Sequence, residues 1–397
     1  MVSRTIRVNQ APQKARVAAI FIIYLMSSLL AGTSFLFGAE LDGLNLVSAP
    51  PTSEGDRKSS EDDKSEKHWL IIDGTRNQGY ALTELLLKKN QPCTIFTSPE
   101  KRDEVIPFFG HDENLTITTG DITKDVTKLY EAALNATHLY FAPEFDGYSS
   151  WHEKISSALA TCLAIAHQRR LHFVYPAART YVFDGHALDA NRSLTISTDL
   201  PFLPESKQGQ TFMALEEEIK RHAYQHKLPI TIIRTAHPFG SNMKEYLTYS
   251  SFHDAYHTKT FLWLYRDDLP YEYCYTGDIA RLAEIATDEP PNELVTTLHL
   301  AGYRYNTALD FGHDIIREAH KDKNEYARQR LIGSWILGAI SLGKPDAKRG
   351  IDIRRNFENS FLLDDTETYI RYPEFSLTPK EEAIRATLTW HRTFTIS

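Results

Sequence analysis

A strand, a glycine-containing turn and a helix follow one another over residues 68–87. The segment opens with a short apolar run, which is typical of a buried parallel strand. Gly74 and Gly79 lie in the turn, and apolar residues then recur at helical spacing. A helix that begins directly after such a turn offers unpaired N–H groups and partial positive charge to a pyrophosphate. Because the strict pattern has three glycines and only two are present, the segment indicates either a nucleotide site or an ordinary strand–helix connection.

The chain is acidic, with a formal net charge of −8 over 397 residues. Non-specific nucleic-acid binding requires a basic surface, so no nucleic-acid partner is expected. The three cysteines, Cys93, Cys162 and Cys274, are odd in number and far apart. This spacing indicates neither a disulfide framework nor a zinc cluster, and no metal cofactor is predicted.

The first 40 residues have the pattern of a signal anchor. Basic residues precede a nearly uninterrupted apolar run over residues 17–37, and no acidic residue occurs before Glu40. The run is about 20 residues long, which is enough to span a membrane as a helix. Phe37 stands where signal cleavage after Ala39 would need a small residue, so a single-pass membrane anchor is favoured over an exported, cleaved form. A buried core helix is the other alternative.

Residues 41–66 are rich in proline, serine and charged residues. Such a segment buries too little apolar surface to order itself, so we expect a disordered linker. Strands and helices then alternate, which predicts an α/β fold with a doubly wound parallel sheet over residues 67–240. A smaller α+β substrate-binding region is predicted over residues 241–397, of which 270–288 return to the first domain.

Positively charged residues follow the second predicted strand, which covers residues 93–97. An NAD site usually has a carboxylate at this point, on the ribose hydroxyls. Here Thr97 and Ser98 are followed by Lys101 and Arg102, and Arg76 lies in the glycine turn. These cations could pair with a 2′-phosphate, which favours NADP over NAD. The alternative is that Lys101 and Arg102 begin a solvated helix.

Five short motifs occur in order along the chain: 72–79 (IDGTRNQG), 120–122 (GDI), 173–176 (FVYP), 228–240 (LPITIIRTAHPFG) and 275–280 (YTGDIA). Together they resemble the extended branch of the short-chain dehydrogenase/reductase (SDR) superfamily, the NAD-dependent epimerase/dehydratase family. The resemblance covers nearly all of the chain from His68 onward and implies a Rossmann fold. It also implies that Asp278 caps the helix at the fifth motif. The implied cofactor-binding residues are Gly74, Thr75, Arg76, Asn77, Gln78, Gly79, Thr97, Lys101, Arg102, Asp121, Ile122, Ala142 and Pro143.

The glycine turn departs from the family at two positions. The family's first glycine aligns with Asp73 and its second with Asn77, so only Gly79 is in register. Asparagine tolerates a positive φ, which makes Asn77 a workable substitute. The carboxylate of Asp73 would face a pyrophosphate unless other groups of the protein bind it.

The proton relay of the family is absent. Family enzymes use Tyr-x-x-x-Lys, in which the lysine lowers the pKa of a tyrosine that exchanges a proton with the substrate. No tyrosine of this chain has a lysine four residues later, and Gly209 or Gln210 stands about where the tyrosine belongs. Tyr181, just after the fifth predicted strand, and Lys207 are the candidate replacements.

Some other polar residues are ambiguous. His222/His226 and His253/His257 are each four residues apart, so each pair could share a helix face and bind zinc, or simply lie in solvent. The acidic residues 216–218 are expected to be solvated, although one aligns with a glutamate common in the family. The aromatic-rich stretch 246–265 could line a ligand pocket or form part of the core.

Two functions remain open from the sequence. The first is an NAD(P)-binding epimerase/dehydratase-like oxidoreductase that acts on a nucleotide sugar or a related polar carbonyl compound. Its expected partners are the membrane, through the N-terminal segment, and a second copy of the chain in a homodimer. The second is a catalytically degenerate NADP-binding sensor or scaffold. Fold alone does not decide between them.

Overall fold

Seven parallel strands form the central sheet of the computed structural model. In spatial order they are β3 (Leu115–Thr119), β2 (Cys93–Thr97), β1 (Trp69–Ile72), β4 (His138–Phe141), β5 (His172–Ala178), β7 (Ile230–Thr235) and β11 (Val295–Leu300). The chain runs outward from β1 to β3 and then crosses to β4 on the other side of β1. In open parallel sheets, ligands bind outside the carboxyl ends of the strands at such a reversal. The predicted doubly wound sheet is confirmed.

The structure describes residues 67–109, 112–145, 148–178, 180–186, 193–288, 293–321, 328–341 and 348–394. The predicted signal anchor (1–40) and linker (41–66) lie outside these ranges and stay predictions. Within the described ranges, no helix combines the length and the apolarity that a membrane span requires.

The helices that flank the sheet bury their predicted apolar faces. Trp69, Leu70 and Ile71 of β1 are fully buried, as a strand covered on both faces requires. Ile155 and Leu159 of the long fourth helix are also buried in this core. The flanking helices are α1 (Asn77–Lys88), α2 (Pro99–Phe109), α3 (Val126–Ala132), α4 (Tyr148–Arg169), α5 (Lys207–His226) and α7 (Thr276–Ile285).

Shorter sheets and helices make up most of the remaining chain. A three-stranded sheet contains β8 (His237–Phe239), β10 (Tyr271–Tyr275) and β12 (Tyr303–Tyr305). Two strand pairs are β9 (Thr260–Leu264) with β13 (Arg328–Ile332) and β6 (Ser193–Ile196) with β14 (Ser360–Leu363). The helices are α6 (Tyr246–Thr258), α8 (Ala308–His320), α9 (Ser334–Ser341), α10 (Lys348–Asp352), α11 (Arg355–Glu358), α12 (Thr366–Arg371) and α13 (Lys380–Phe394).

The aromatic stretch 246–265 belongs to the core. Phe252, Phe261 and Trp263 are at most 1% exposed. Their rings pack on other aromatic rings, including Phe239 and Phe357. The stretch therefore stabilises the C-terminal region by burial of apolar surface.

The prediction that Asp278 caps α7 is wrong. Tyr275 is the N-cap, and Asp278 lies fully buried in the first turn. Its carboxylate accepts hydrogen bonds from the backbone N–H and the hydroxyl of Thr378, at 3.1 and 2.6 Å, and from Arg281 at 2.6 Å. Because a buried carboxylate needs such donors, Asp278 joins α7 to the segment before α13.

The prediction that residues 216–218 are solvated is wrong for Glu216. This residue is 1% exposed and forms an ion pair with Arg234 of β7, which is 2% exposed. The two atoms of the ion pair are 2.5 Å apart, and a second hydrogen bond of 3.2 Å joins the same side chains. The pair fixes α5 against β7, on the side of the sheet where the strands have their carboxyl ends and where the candidate site lies.

Candidate functional site

The turn after β1 keeps a left-handed backbone at the two positions where the family has glycine. Asp73 has a φ of 59° and Asn77 a φ of 52°. Asparagine and aspartate adopt this region more readily than most residues. Gly79 allows α1 to approach the turn, since a Cβ there would lie 2.5 Å from the carbonyl oxygen of Asp73. The expected positive φ of Asn77 is thus confirmed, and Asp73 adopts the same conformation.

The carboxylate of Asp73 is bound by groups of the protein itself. It accepts hydrogen bonds from the hydroxyl of Thr75 at 2.7 Å and from the backbone N–H of Glu144 at 3.0 Å. It also forms an ion pair with Lys101, and both side chains are largely buried. The ammonium group of Lys101 donates a further bond of 2.6 Å to the carbonyl oxygen of Glu144. Lys101, in the first turn of α2, therefore connects the turn after β1 to the loop after β4.

A second segment lies against the start of α1. The backbone N–H of Asn77 donates to the carbonyl oxygen of Asn242 at 3.2 Å. The side-chain amide of Asn242 donates to the carbonyl oxygen of Thr75 at 2.7 Å, and Asn242 is 1% exposed. The backbone N–H of Lys244 donates to the side-chain oxygen of Asn77 at 2.7 Å. The first N–H group of the helix, which a pyrophosphate would use, is therefore occupied.

The other predicted phosphate ligand of the turn is also engaged. The guanidinium of Arg76 forms two hydrogen bonds, of 3.0 and 2.6 Å, to the two carboxylate oxygens of Glu104 in α2. Arg102 is exposed on the same helix. A 2′-phosphate would have to compete with Glu104 for Arg76 and with Asp73 for Lys101.

The remaining predicted cofactor residues are distributed along the carboxyl edge of the sheet. Thr97 is buried at the end of β2 and donates weakly, at 3.4 Å, to Asp73. Asp121 follows β3 and binds the backbone and hydroxyl of Thr123 at 2.9 and 2.6 Å. Gln78 has a buried amide nitrogen with no partner in the described ranges. Gly74 follows Asp73 in the turn, Ile122 follows Asp121, and Ala142 and Pro143 follow β4.

The candidate acid–base residues do not form a pair. Tyr181 begins a short 3-10 helix (Tyr181–Phe183) after β5 and lines a small cavity with His237 and Glu272. Lys207 begins α5 and lines a different cavity, with Trp151 and His152. The structure therefore does not support a shared proton relay between Tyr181 and Lys207.

Glu272 is an acidic group in the Tyr181 cavity that sequence patterns did not single out. Burial raises the pKa of its carboxyl to about 6. The hydrogen bonds from Leu363 and Arg304 and the charge of Arg304 act in the opposite direction and lower this pKa. The carboxylate accepts from Arg304 at 2.8 and 2.6 Å and from the backbone N–H of Leu363 at 2.8 Å. No signal in the sequence marks this residue, because its partners are distant in the chain.

The start of α5 has no room for a catalytic tyrosine at Gly209. A Cβ on Gly209 would lie 2.3 Å from the carbonyl oxygen of Tyr181 and 2.9 Å from the Cβ of Pro204. Ser206 caps the helix by accepting a 3.0 Å bond from the N–H of Gly209. Asp352 of α10 accepts the N–H groups of the first two helical residues, both at 3.0 Å.

Comparison with known proteins shows the fold. No protein-family model matches the chain, and no curated protein matches it in sequence. Among solved structures, UDP-glucuronic acid 4-epimerase from Bacillus cereus in complex with NAD has a TM-score of 0.62 at 15% identity, over 82% of this chain and 99% of that one. The dTDP-glucose 4,6-dehydratase from Bacillus anthracis in complex with NAD has 0.64 at 12% identity, over 83% and 97%. UDP-glucose 4-epimerase from Thermotoga maritima with UDP-glucose has 0.60 at 12%, over 83% and 99%.

The chain has the extended SDR fold. Within this fold, the turn after β1 and the carboxyl ends of β2 and β4 surround the place for a dinucleotide. Lys101 spans that place between Asp73 and Glu144, and Asn242 lies on the start of α1. The residues as arranged do not fit a dinucleotide, although the backbone of the turn does. Asn242 and Thr75, which bind each other at the turn, are 167 positions apart in the chain. No local sequence pattern therefore reveals this contact.

Proposed function

We propose that this chain is a catalytically degenerate protein of the extended SDR fold that serves as a binding or scaffold protein. The observation that carries this proposal is the packing of Gly209 against the carbonyl oxygen of Tyr181. A tyrosine at this place would have to displace backbone atoms. The Tyr-x-x-x-Lys pair that a proton relay of the SDR type requires is also absent from the sequence.

The state of the turn supports the same proposal. Hydride transfer needs a nicotinamide cofactor held by the turn. Here Asp73, Lys101 and Glu144 bind one another at that place. A dinucleotide would have to separate a largely buried ion pair before it could bind, and such a separation costs free energy unless the ligand replaces the lost contacts. NADP as a bound ligand therefore requires a rearranged turn.

The second candidate is an epimerase/dehydratase-like enzyme that acts on a nucleotide sugar. The observation in its favour is the cavity that contains both Tyr181 and Glu272. The raised pKa of Glu272, about 6, is in the range that general acid–base catalysis uses. Among solved structures with this fold, UDP-glucuronic acid 4-epimerase is in complex with NAD and UDP-glucose 4-epimerase is with UDP-glucose. The contacts of Glu272 with Arg304 argue for a structural role instead.

The test is a turnover assay on the purified full chain. UDP-glucose, UDP-glucuronic acid and dTDP-glucose are each incubated with NAD⁺ or NADP⁺, and products are measured by chromatography and by absorbance of the reduced cofactor. We expect no product above the level without protein. Turnover that is lost in both Tyr181→Phe and Glu272→Gln would overturn the proposal. Tyr224→Phe is the matched control, since Tyr224 is 65% exposed on α5.

A further inference from the structure

The short helix α9 exposes an apolar face. Trp335, in its first turn, is 79% exposed, and Ala339, one turn later on the same face, is exposed as well. A Cβ on Gly338 would meet no heavy atom of the described residues within 4 Å, so none of them covers this position. Residues 331–343 contain no charged side chain. An uncharged, exposed face of this kind marks a contact surface.

The opposite face of α9 is fixed to the rest of the C-terminal region. Leu337 is buried and packs on α10, where a Cβ on Gly350 would lie 3.1 Å from its side chain. The hydroxyl of Tyr265 donates a 2.9 Å hydrogen bond to the carbonyl oxygen of Gly350, and a side-chain hydrogen bond joins Ser334 to Tyr265. The helix is therefore held through one face and presents the other.

Apolar side chains next to α9 extend the exposed surface. Leu331, at the end of β13, is 37% exposed. Ile351 follows Gly350 on α10 and is 39% exposed. The exposure of Trp335 is thus not that of a single isolated residue, which would need no explanation.

The segment around α9 is basic although the chain as a whole is acidic. Residues 328–355 contain seven basic and two acidic side chains and thus have a formal net charge of +5, whereas the whole chain has −8. The basic residues are Arg328, Arg330, Lys344, Lys348, Arg349, Arg354 and Arg355. Arg328, before the helix, and Lys348, after it, are both exposed. An apolar face between cations is complementary to a surface that is apolar within and anionic at its boundary.

A lipid bilayer has these two properties. Tryptophan is enriched at the boundary between membrane and water, and basic side chains beside an apolar helix bind anionic headgroups. Eight residues of helix are about 12 Å long, whereas the hydrocarbon core is about 30 Å thick, so α9 would lie in the interface of one leaflet. In a symmetric pair of copies the same basic residues would face one another, and repulsion between like charges opposes that arrangement.

We propose that α9 docks on a membrane surface with anionic headgroups. Trp335 and Ala339 enter the boundary between headgroups and acyl chains, and Arg328 and Lys348 pair with the headgroups. The inference goes beyond the proposed function and does not depend on it, because neither the turn after β1 nor a proton relay takes part.

The test places an environment-sensitive fluorophore on α9 of the full chain. Cys93, Cys162 and Cys274 are buried, so the Ala339→Cys variant can be labelled selectively. The labelled protein is reconstituted into vesicles of phosphatidylcholine alone or with phosphatidylserine, and quenching by a lipid with a nitroxide on its acyl chain is measured. We expect strong quenching with phosphatidylserine and little without it. Because the fluorophore reports on α9 alone, a membrane anchor at residues 1–40 would not by itself produce this result.

An exposed apolar residue elsewhere provides the matched control. Ile370 of α12 is 75% exposed, and a fluorophore on the Ile370→Cys variant should not be quenched. In the Ala339→Cys background, Arg328→Glu/Lys348→Glu should remove most of the quenching, because each basic residue near an anionic surface favours binding. Trp335→Ser should do the same and leave the melting temperature unchanged, since Trp335 is exposed.

Four results would overturn the proposal. The first is a fluorophore at position 339 that is not quenched with phosphatidylserine, and the second is equal quenching at positions 339 and 370. The third is equal quenching in the two kinds of vesicle, which would exclude recognition of anionic headgroups. The fourth is an apolar environment at position 339 that forms without lipid and increases with protein concentration, because α9 would then join two copies of the chain.

Discussion

The turn after β1 and the start of α5 both depart from the extended SDR pattern, but in opposite ways. At the turn, side chains have replaced glycines while the backbone has kept the left-handed conformation of Asp73 and Asn77. At the start of α5, where Gly209 or Gln210 aligns with the family's tyrosine, the backbone of Tyr181 packs against Gly209. The turn is closed mainly by contacts that involve a side chain, whereas at the helix start the carbonyl oxygen of Tyr181 packs against Gly209.

The difference concerns two requirements of an SDR enzyme, namely nucleotide binding at the turn and a proton relay at the start of α5. Side-chain contacts such as the Asp73–Lys101 ion pair can be removed by substitution without moving the sheet. The packing of Gly209 cannot be changed without moving the segment that carries Tyr181. We therefore expect a few substitutions to open the turn to a nucleotide, whereas a side chain at Gly209 would require a change of the backbone around it.

The largest effect is expected at the helix start. Gly209→Ala would place a Cβ 2.3 Å from the carbonyl oxygen of Tyr181. Overpacking of this kind lowers the free energy of unfolding by about 1–3 kcal/mol, and the contact with the backbone puts this variant at the upper end. Urea denaturation measures the loss.

A glycine with open space is the control for this prediction. A Cβ on Gly338 of α9 meets no heavy atom of the described residues within 4 Å. Gly338→Ala should raise the free energy of unfolding by up to about 1 kcal/mol, because alanine is the better helix former. Equal effects at the two positions would show that the start of α5 tolerates a side chain, and the comparison would fail.

A smaller effect is expected at the turn. Asn242 has a φ of 50°, which glycine also adopts, so Asn242→Gly removes the side-chain bond to Thr75 without straining the backbone. One buried hydrogen bond contributes about 1 kcal/mol to the free energy of unfolding. Thermal unfolding of this variant measures that contribution. A loss as large as that of Gly209→Ala would mean that the turn is as rigidly closed as the helix start.

The sequence predicts the sheet well because its buried strands are marked by short apolar runs. Short apolar runs such as that of β1 are typical of buried parallel strands, and the structure has them there. The left-handed conformation of Asn77 was also predictable, since Asn77 aligns with a glycine and asparagine tolerates a positive φ, but that of Asp73 was not predicted. Periodicity does not by itself separate the buried Glu216 from the exposed Glu217, because the partner of Glu216, Arg234 on β7, is distant in the chain.

The closing contacts of the candidate site were not predictable. Lys101 follows its partner Asp73 by 28 positions, and Asp352 follows Lys207 by 145. Such contacts depend on how distant segments pack, and neither composition nor spacing indicates them. The sequence showed the same charges, but it favoured a 2′-phosphate as the partner of Lys101 where the structure has Asp73.

The most direct test of the closed turn removes the ion pair between Asp73 and Lys101. In Asp73→Gly/Lys101→Met, glycine restores the family residue and the ion pair is lost. Binding of NADH and NADPH by the full chain is measured by calorimetry for the wild type and this variant, with Arg102→Met as the control because Arg102 is exposed on the same helix. The variant should bind both nucleotides more tightly than the wild type by about tenfold or more, which corresponds to about 1.4 kcal/mol. Wild-type protein that binds NADPH as tightly as the variant, or more tightly, would contradict the account, because Lys101 would then serve the 2′-phosphate and not the closed turn.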